Sequence, residues 1–292
     1  MCKIMFIVNN DENSNASNLL QVNQSLFKNE KDGNAIMIEK ENSKAKVELY
    51  ETTIEALEVL MNESKNKGVY GIHTRTATSG LINEKNNHFW EDTGFIFGHN
   101  GFVPALDKMS SEKCDSKLFF ESLMRDIKGV IKKRKKKGRQ GITPYRVLKL
   151  IKDNVERFDF VGVAILYDTR SRIVYLIGTR NIDIVSDSKN FLAFCSFDPH
   201  VNFTRIKRYK GFSFFQENTP LGLDKTELGK GFYAYSIEKG SIINEIEIET
   251  SFGFNSYSSY SGYLDDQIER KKERDNFLRQ EYQEQARYFN DL

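Results

Sequence analysis

Gly71-Ile72-His73-Thr74-Arg75-Thr76-Ala77-Thr78-Ser79-Gly80 runs on from a short apolar strand, Val69–Ile72, and three further polar blocks follow it closely. These are Asn86-Asn87-His88-Phe89, then Gly98-His99-Asn100-Gly101 at the end of a second short strand (Phe95–Phe97), then Cys114-Asp115-Ser116. Each block alone has an ordinary explanation. Arg75 by itself reads as a surface ion pair worth little. Asn100-Gly101 is first a hairpin-turn signal, and Asp115 suits the first turn of a helix. His73, His88 and His99 could be mistaken for a metal triad or a catalytic base. Taken together, and with one feature at the N-terminus, the blocks point to a reaction centre.

That feature is Cys2. A small second residue allows the initiator Met to be trimmed, which would place a thiol and a free α-amine on one residue. The amine, with a pKa of about 8, lies next to a thiol of about 8.5 in model compounds. Such a residue can be nucleophile and general base at once, without any imidazole. Ile4-Met5-Phe6-Ile7-Val8 reads as a buried strand that would carry Cys2 into a sheet and fix it there.

Read with Cys2, the blocks resemble the glutaminase domain of the class II (N-terminal nucleophile) glutamine amidotransferases. The family pattern is Met-Cys-Gly-Ile, His-Thr-Arg-x-Ala-Thr-x-Gly, Asn-x-His-Pro, His-Asn-Gly and a Ser-Asp-[Thr/Ser]-Glu turn. The gaps between the first three internal blocks match without insertion, and the resemblance extends over residues 2 to about 210. It implies an α+β fold, the four-layer αββα sandwich of the N-terminal nucleophile hydrolases, over residues 2–250.

The resemblance also implies roles. Cys2 is the nucleophile, and the side-chain amide of Asn100 with the backbone N–H of Gly101 forms the oxyanion hole. Arg75 is a bidentate fork for the substrate carboxylate. Asp115 binds the substrate ammonium, and Thr78 lines the pocket. The three histidines are supports, because an N-terminal amine removes the need for an imidazole base. Departures from the pattern are Lys3 for Gly, Thr76 where an aromatic residue is frequent, Ser79 where a second His is common, Phe89 for Pro and Lys117 for Glu. They fall on the pocket rim more than on the catalytic centre, and they bear on glutamine specificity.

The implied reaction is release of ammonia from glutamine through a Cys2 thioester, with no cofactor and no metal. No synthase pattern follows residue 210, so the ammonia-accepting partner is expected on a separate protein. Two rivals stand beside this reading. One is a stand-alone amidase of γ-glutamyl compounds with the same nucleophile. The other is a non-catalytic binding protein on the same scaffold.

Composition narrows the setting. In 292 residues, 39% hydrophobic, there is material for one large domain or a domain plus an appendage. A net charge of +2 makes nucleic acid an unlikely partner for the molecule as a whole. No apolar run approaches the ~20 residues that span a bilayer. The N-terminus lacks signal-peptide character, and three cysteines without paired spacing point to a reducing cytoplasm. Cys114 and Cys195 read as ordinary buried thiols.

Elsewhere residues 9–50 are polar and Asn/Lys-rich, with short amphipathic pieces such as Leu19–Phe27. The pattern gives helices over Thr52–Ser64, Ser116–Ile127 and Thr143–Phe158, the last with Pro144 at its first position. The Lys132–Arg139 basic run between two of them reads as a solvated helix end or loop rather than a nucleic-acid patch, since no aromatic residues interleave with it. Strands are expected at Phe160–Tyr167, Ile173–Ile177, Phe191–Phe197, Val201–Arg208, Phe212–Gln216, Gly231–Ser236 and Ile242–Ile248. Gly162, Ala164, Asp168, Arg180 and Asn181 read as scaffold. Residues 251–262 read as a Ser/Tyr/Gly-rich linker and Tyr263–Phe289 as a charged C-terminal helix with a thin apolar face.

Overall fold

A computed structural model describes residues 2–12, 15–27, 32–77, 79–107, 109–139, 141–187, 191–209, 212–220 and 223–248. The expected linker and charged helix at 251–292 lie outside the described residues, as does Thr78.

Strand β1 (Lys3–Asn9) shows why the fold has layers. Successive side chains of a strand point to opposite faces. In β1, Ile4, Phe6 and Val8 enter one apolar cluster and Met5 and Ile7 another. A strand apolar on both faces must be covered on both, and this one is. It is central in a seven-stranded sheet ordered β13 (Asp224–Leu228), β9 (Ile182–Ser186), β10 (Phe191–Cys195), β1, β4 (Gly68–Thr74), β2 (Asn34–Lys40) and β3 (Lys46–Tyr50). Helices α1 (Ala16–Phe27) and α2 (Thr53–Glu63) cover its outer face through Leu19, Leu20, Phe27, Leu57 and Leu60. Thr52 caps α2 by accepting from Glu55 N.

A second, six-stranded sheet runs β15 (Ser241–Glu247), β14 (Gly231–Ser236), β8 (Ile173–Gly178), β7 (Val161–Asp168), β6 (Phe95–Phe102) and β5 (Trp90–Asp92). Its strands alternate in the same way. Val163, Ile165 and Tyr167 of β7 face the first sheet, while Ala164 and Leu166 face α3 (Asp115–Lys135) and α4 (Pro144–Phe158). The order is therefore helices, sheet, sheet, helices, the four-layer αββα sandwich. Every strand pairing among the described residues is antiparallel, including the separate hairpin β11 (Asn202–Tyr209) with β12 (Phe212–Pro220). No helix among the described residues is long and apolar enough to cross a membrane.

Phe89 shows how closely the sheets are joined near the site. A side chain added at Gly71 would lie 2.8 Å from its ring, and one added at Gly98 would lie 2.6 Å from it. The phenyl ring thus occupies the space left by two glycines, one on each sheet.

Three differences from the sequence reading have physical causes. β2 and β3 form within a stretch whose overall polarity masks the short apolar run Ala35–Ile38, and a run that short has no decisive period. α3 continues to Lys135, through the first part of the basic run, because cations are favoured at a helix C-terminus. Asn100-Gly101 is not a hairpin turn: Gly101 lies inside β6 opposite Gly162 of β7.

Candidate active site

Five pieces of chain meet at one end of the two sheets. β1 begins there, with Lys3 paired to Thr74 at the end of β4. β10 ends there, with Cys195 paired to Met5. The last residues of β6 and the first of α3 complete the group. A cavity of about 20 Å³ lies between them, lined by Cys2, Arg75, Ser79, Gly101 and Asp115 together with His88, His99 and Cys114.

Cys2 is partly buried, and its Sγ lies 3.5 Å from the carbonyl of Thr76 as a donor. Gly101 is held by close approach: a Cβ there would lie 1.9 Å from Val161 O and 2.5 Å from His99 Nε2. Asn100 is buried just behind the cavity and is not part of its lining. It shares a strand face with Gly98, toward the first sheet, and its Nδ2 donates to Ser196 Oγ (2.8 Å) and Ser196 O (3.3 Å). Its Oδ1 is buried without a hydrogen-bond partner.

Arg75 is buried at 3% exposure, which removes the surface ion-pair explanation. Its two terminal nitrogens donate to Ser79 O (2.9 Å) and Leu81 O (3.3 Å). Its backbone is tied to Asp32 and Gly33, and Asp32 Oδ2 accepts from Ala77 N at 2.7 Å. Asp115 is the first residue of α3 and equally buried. Oδ2 accepts from Val103 N at 2.5 Å, while Oδ1 accepts from Ser116 N (2.7 Å) and Ser79 Oγ (2.9 Å). Burial pushes its carboxyl above the usual Asp range, against the pull of these donors. The structure thus brings Cys2, Arg75, Gly101 and Asp115 to one cavity and places Asn100 behind it.

The three histidines form a buried scaffold. His73 Nε2 bonds to His99 O at 3.0 Å, and His99 Nε2 to Val161 O at 3.1 Å. A carbonyl only accepts, so both of these nitrogens carry the proton. His99 N donates to His88 Nδ1 (3.0 Å), and the rings of His73 and His88 stack with centroids 4.0 Å apart. His99 Nδ1 takes Ser116 Oγ at 2.8 Å. Burial lowers all three: His73 and His99 to about 3, and His88 well below its ordinary value. Neutral rings fixed by backbone groups are props. Among the described residues, no group of His, Cys, Asp or Glu is arranged to hold a metal.

Two further residues carry structure that the sequence reading left unassigned. Asn86 joins its own loop to the one before α3: its Nδ2 donates to Leu81 O (2.9 Å) and Glu112 O (2.6 Å), and its Oδ1 accepts from Cys114 N (3.0 Å). Its place in the Asn86-Asn87-His88 block was the available signal. Ser196 had none, since its partners Asn100 and Ile4 lie 96 and 192 residues away. Cys114 and Cys195 are buried thiols, and burial raises Cys114 to about 12.

No protein-family model matches the chain, and no curated protein matches it in sequence. Solved structures do match. A glutamine phosphoribosylpyrophosphate amidotransferase from B. subtilis aligns over 86% of this chain and 50% of its own, at 14% identity and a TM-score of 0.51. A structure described as the allosteric regulatory enzyme of purine biosynthesis aligns over the same shares at 13% identity and 0.50. A glutamine aminotransferase class-II domain protein from Silicibacter pomeroyi aligns at 10% identity over 85% of this chain and 99% of its own, at a TM-score of 0.40. The likeness of fold rests on the first two, and this chain spans about half their length. The fold is that of the N-terminal nucleophile hydrolases.

Proposed function

We propose that the chain is a glutaminase of the amidotransferase type that releases ammonia from glutamine through a Cys2 thioester. The observation that carries this reading is the convergence of Cys2, Gly101, Arg75 and Asp115, from four separate segments of the chain, on one cavity.

The steps follow from that grouping once Met1 is removed. The Cys2 thiol passes its proton to its own α-amine, and sulfur attacks the side-chain amide carbon of glutamine. Charge on the tetrahedral oxygen is met by the Gly101 N–H and the Asn100 amide, each donor worth a few kcal/mol in such sites. The C–N bond breaks, the ammonium returns its proton to the departing nitrogen, and ammonia leaves. Water then attacks the thioester with the amine as base, which frees glutamate and restores Cys2. Arg75 and Asp115 hold the α-carboxylate and α-ammonium. The histidines are too depressed to act as bases near neutrality, which leaves that task to the amine. In this reading the ammonia passes to an acceptor synthase, and the setting is cytoplasmic.

One observation favours a second reading. About 20 Å³ holds roughly one water molecule, and the Asp115 carboxylate is already occupied by protein donors. A non-catalytic binding protein on the same scaffold would look the same, whereas a glutaminase has to admit glutamine beside Cys2. Ammonia release from glutamine by the untagged protein separates the two. The glutaminase reading requires it in the wild type and its loss in Cys2→Ala, while absence of release in both supports the binding protein.

A further inference from the structure

We infer that Ser196 is a positioning residue for catalysis, setting which way round the Asn100 amide faces; the inference rests on the glutaminase reading above. Ser196 follows directly on β10 and holds both backbone polar groups of Ile4, two residues from the nucleophile. Its N–H donates to Ile4 O (3.0 Å) and its Oγ accepts from Ile4 N (2.9 Å). The same Oγ accepts from Asn100 Nδ2 at 2.8 Å. The Ser196 carbonyl takes a longer bond from Asn100 Nδ2 (3.3 Å) and one from Arg180 Nη2 (3.1 Å). One side chain therefore links the strand that carries Cys2, in one sheet, to the strand that carries Asn100, in the other.

Asn100 needs this link because its amide has no other anchor. The terminal torsion of an Asn side chain is broad and nearly two-fold. Oδ1 is buried without a hydrogen-bond partner, so the orientation is chosen by the Ser196 carbonyl, which can only accept from Nδ2. It is held by the shorter bond to Oγ, whose two acceptor positions are taken by Ile4 N and Nδ2. The orientation matters for charge. One presents N–H groups to a developing oxyanion, and the other presents a carbonyl lone pair that repels it. Asn100 Nδ2 carries two hydrogens, one held by the short bond to Oγ. The other, in the longer contact with the carbonyl, is the one an oxyanion can draw away. A ground-state amide carbonyl has little charge to respond to this choice, so loss of Ser196 should act on kcat far more than on KM.

The test is a double-mutant cycle on glutamine hydrolysis with Ser196→Ala, Asn100→Ala and the pair, alongside Ser196→Thr, which keeps the hydroxyl. Ser196→Ala should lower kcat roughly ten- to a hundredfold with KM within about twofold of wild type. It should lower kcat no further once Asn100 is already Ala, and Ser196→Thr should recover most of the loss. An unchanged kcat in Ser196→Ala, or the same fold-loss in both backgrounds, overturns the inference. A second readout does not depend on turnover: the side-chain amide signal of Asn100 in ¹H–¹⁵N spectra, assigned by its absence in Asn100→Ala. That signal should shift in Ser196→Ala and stay in place in Ser196→Thr. If it does not move in Ser196→Ala, the coupling is absent. If wild type releases no ammonia while the signal shifts as expected, it is the glutaminase reading that fails.

Discussion

Ser79 and Asp115 bond to each other twice: Ser79 Oγ donates to Asp115 Oδ1 at 2.9 Å, and the Asp115 amide donates back to Ser79 Oγ at 3.2 Å. The pair fastens the loop after β4 to the start of α3 and closes one side of the Cys2 cavity. It also makes Asp115 serve two masters, the helix start and the proposed ammonium site.

The two roles of Asp115 separate by substrate. As an ammonium partner, Asp115→Asn should lower kcat/KM for glutamine severely, and much less for a glutamine whose α-nitrogen is acylated and uncharged. As a helix-start residue alone, the change should leave the ratio of the two kcat/KM values at its wild-type value. The carboxyl pKa is raised by burial, so the ionised form needed for ammonium is lost on acidification earlier than for an ordinary Asp. KM for glutamine should therefore rise as pH falls through that raised pKa, while KM for the acylated substrate should not.

The buried histidines fix how stability depends on acid. Their folded pKa values lie below the unfolded value of about 6.5, so below that pH the unfolded chain takes up protons that the folded chain refuses. Stability should be unaffected by these rings above about pH 7 and should fall as pH drops from about 6.5 toward 3. The slope is up to about 1.4 kcal/mol per pH unit for each ring. Urea midpoints across that range, compared with a His73→Gln variant that has a shallower slope, provide the check.

Binding and chemistry should divide between Arg75 and Asn100. Arg75→Lys keeps the charge but loses the planar fork that reaches Ser79 O and Leu81 O, so KM for glutamine should rise with a smaller effect on kcat. Asn100→Ala removes an oxyanion donor, and kcat should fall about a hundredfold or more with KM nearly constant. Steady-state kinetics of both variants decide the matter. A change in KM alone for Asn100→Ala would remove Asn100 from the oxyanion hole.

Phe89 should behave as a spacer between the sheets. Phe89→Ala empties the space beneath Gly71 and Gly98 and should cost about 3–5 kcal/mol in unfolding free energy. Gly98→Ala brings a methyl to 2.6 Å from the ring and should also destabilise, less so when Phe89 is Leu. Denaturant melts of the single and double variants measure the coupling.

The central strands were legible because they are apolar on both faces, as at Ile4–Val8, Phe160–Tyr167 and Ile173–Ile177, whereas the four-layer sandwich followed only from the resemblance that the blocks carry. The grouping of Cys2, Arg75, Gly101 and Asp115 was legible only through the spacing of the blocks, since none of the four declares itself alone. What escaped was of two kinds. β2 and β3 hide in a polar stretch, and their place is decided by pairing with β4 and with each other rather than by local pattern. The supports of the site, Ser196 and Asp32, act through hydrogen bonds to residues distant in sequence, and no local propensity marks a serine or an aspartate for such a task. The Asn100-Gly101 pair misleads for a related reason. Its glycine answers to the Val161 carbonyl across the ladder, not to a turn.

The central claim is that Cys2, freed of Met1, is the nucleophile. The most direct measurement is the intact mass of untagged protein before and after exposure to a diazoketone analogue of glutamine. The account predicts a chain lighter by one methionine residue, a single covalent adduct that maps to Cys2, and none on Cys2→Ala or on protein with an uncleaved N-terminal tag. A chain that retains Met1, or an adduct that forms equally well on Cys2→Ala, would contradict it.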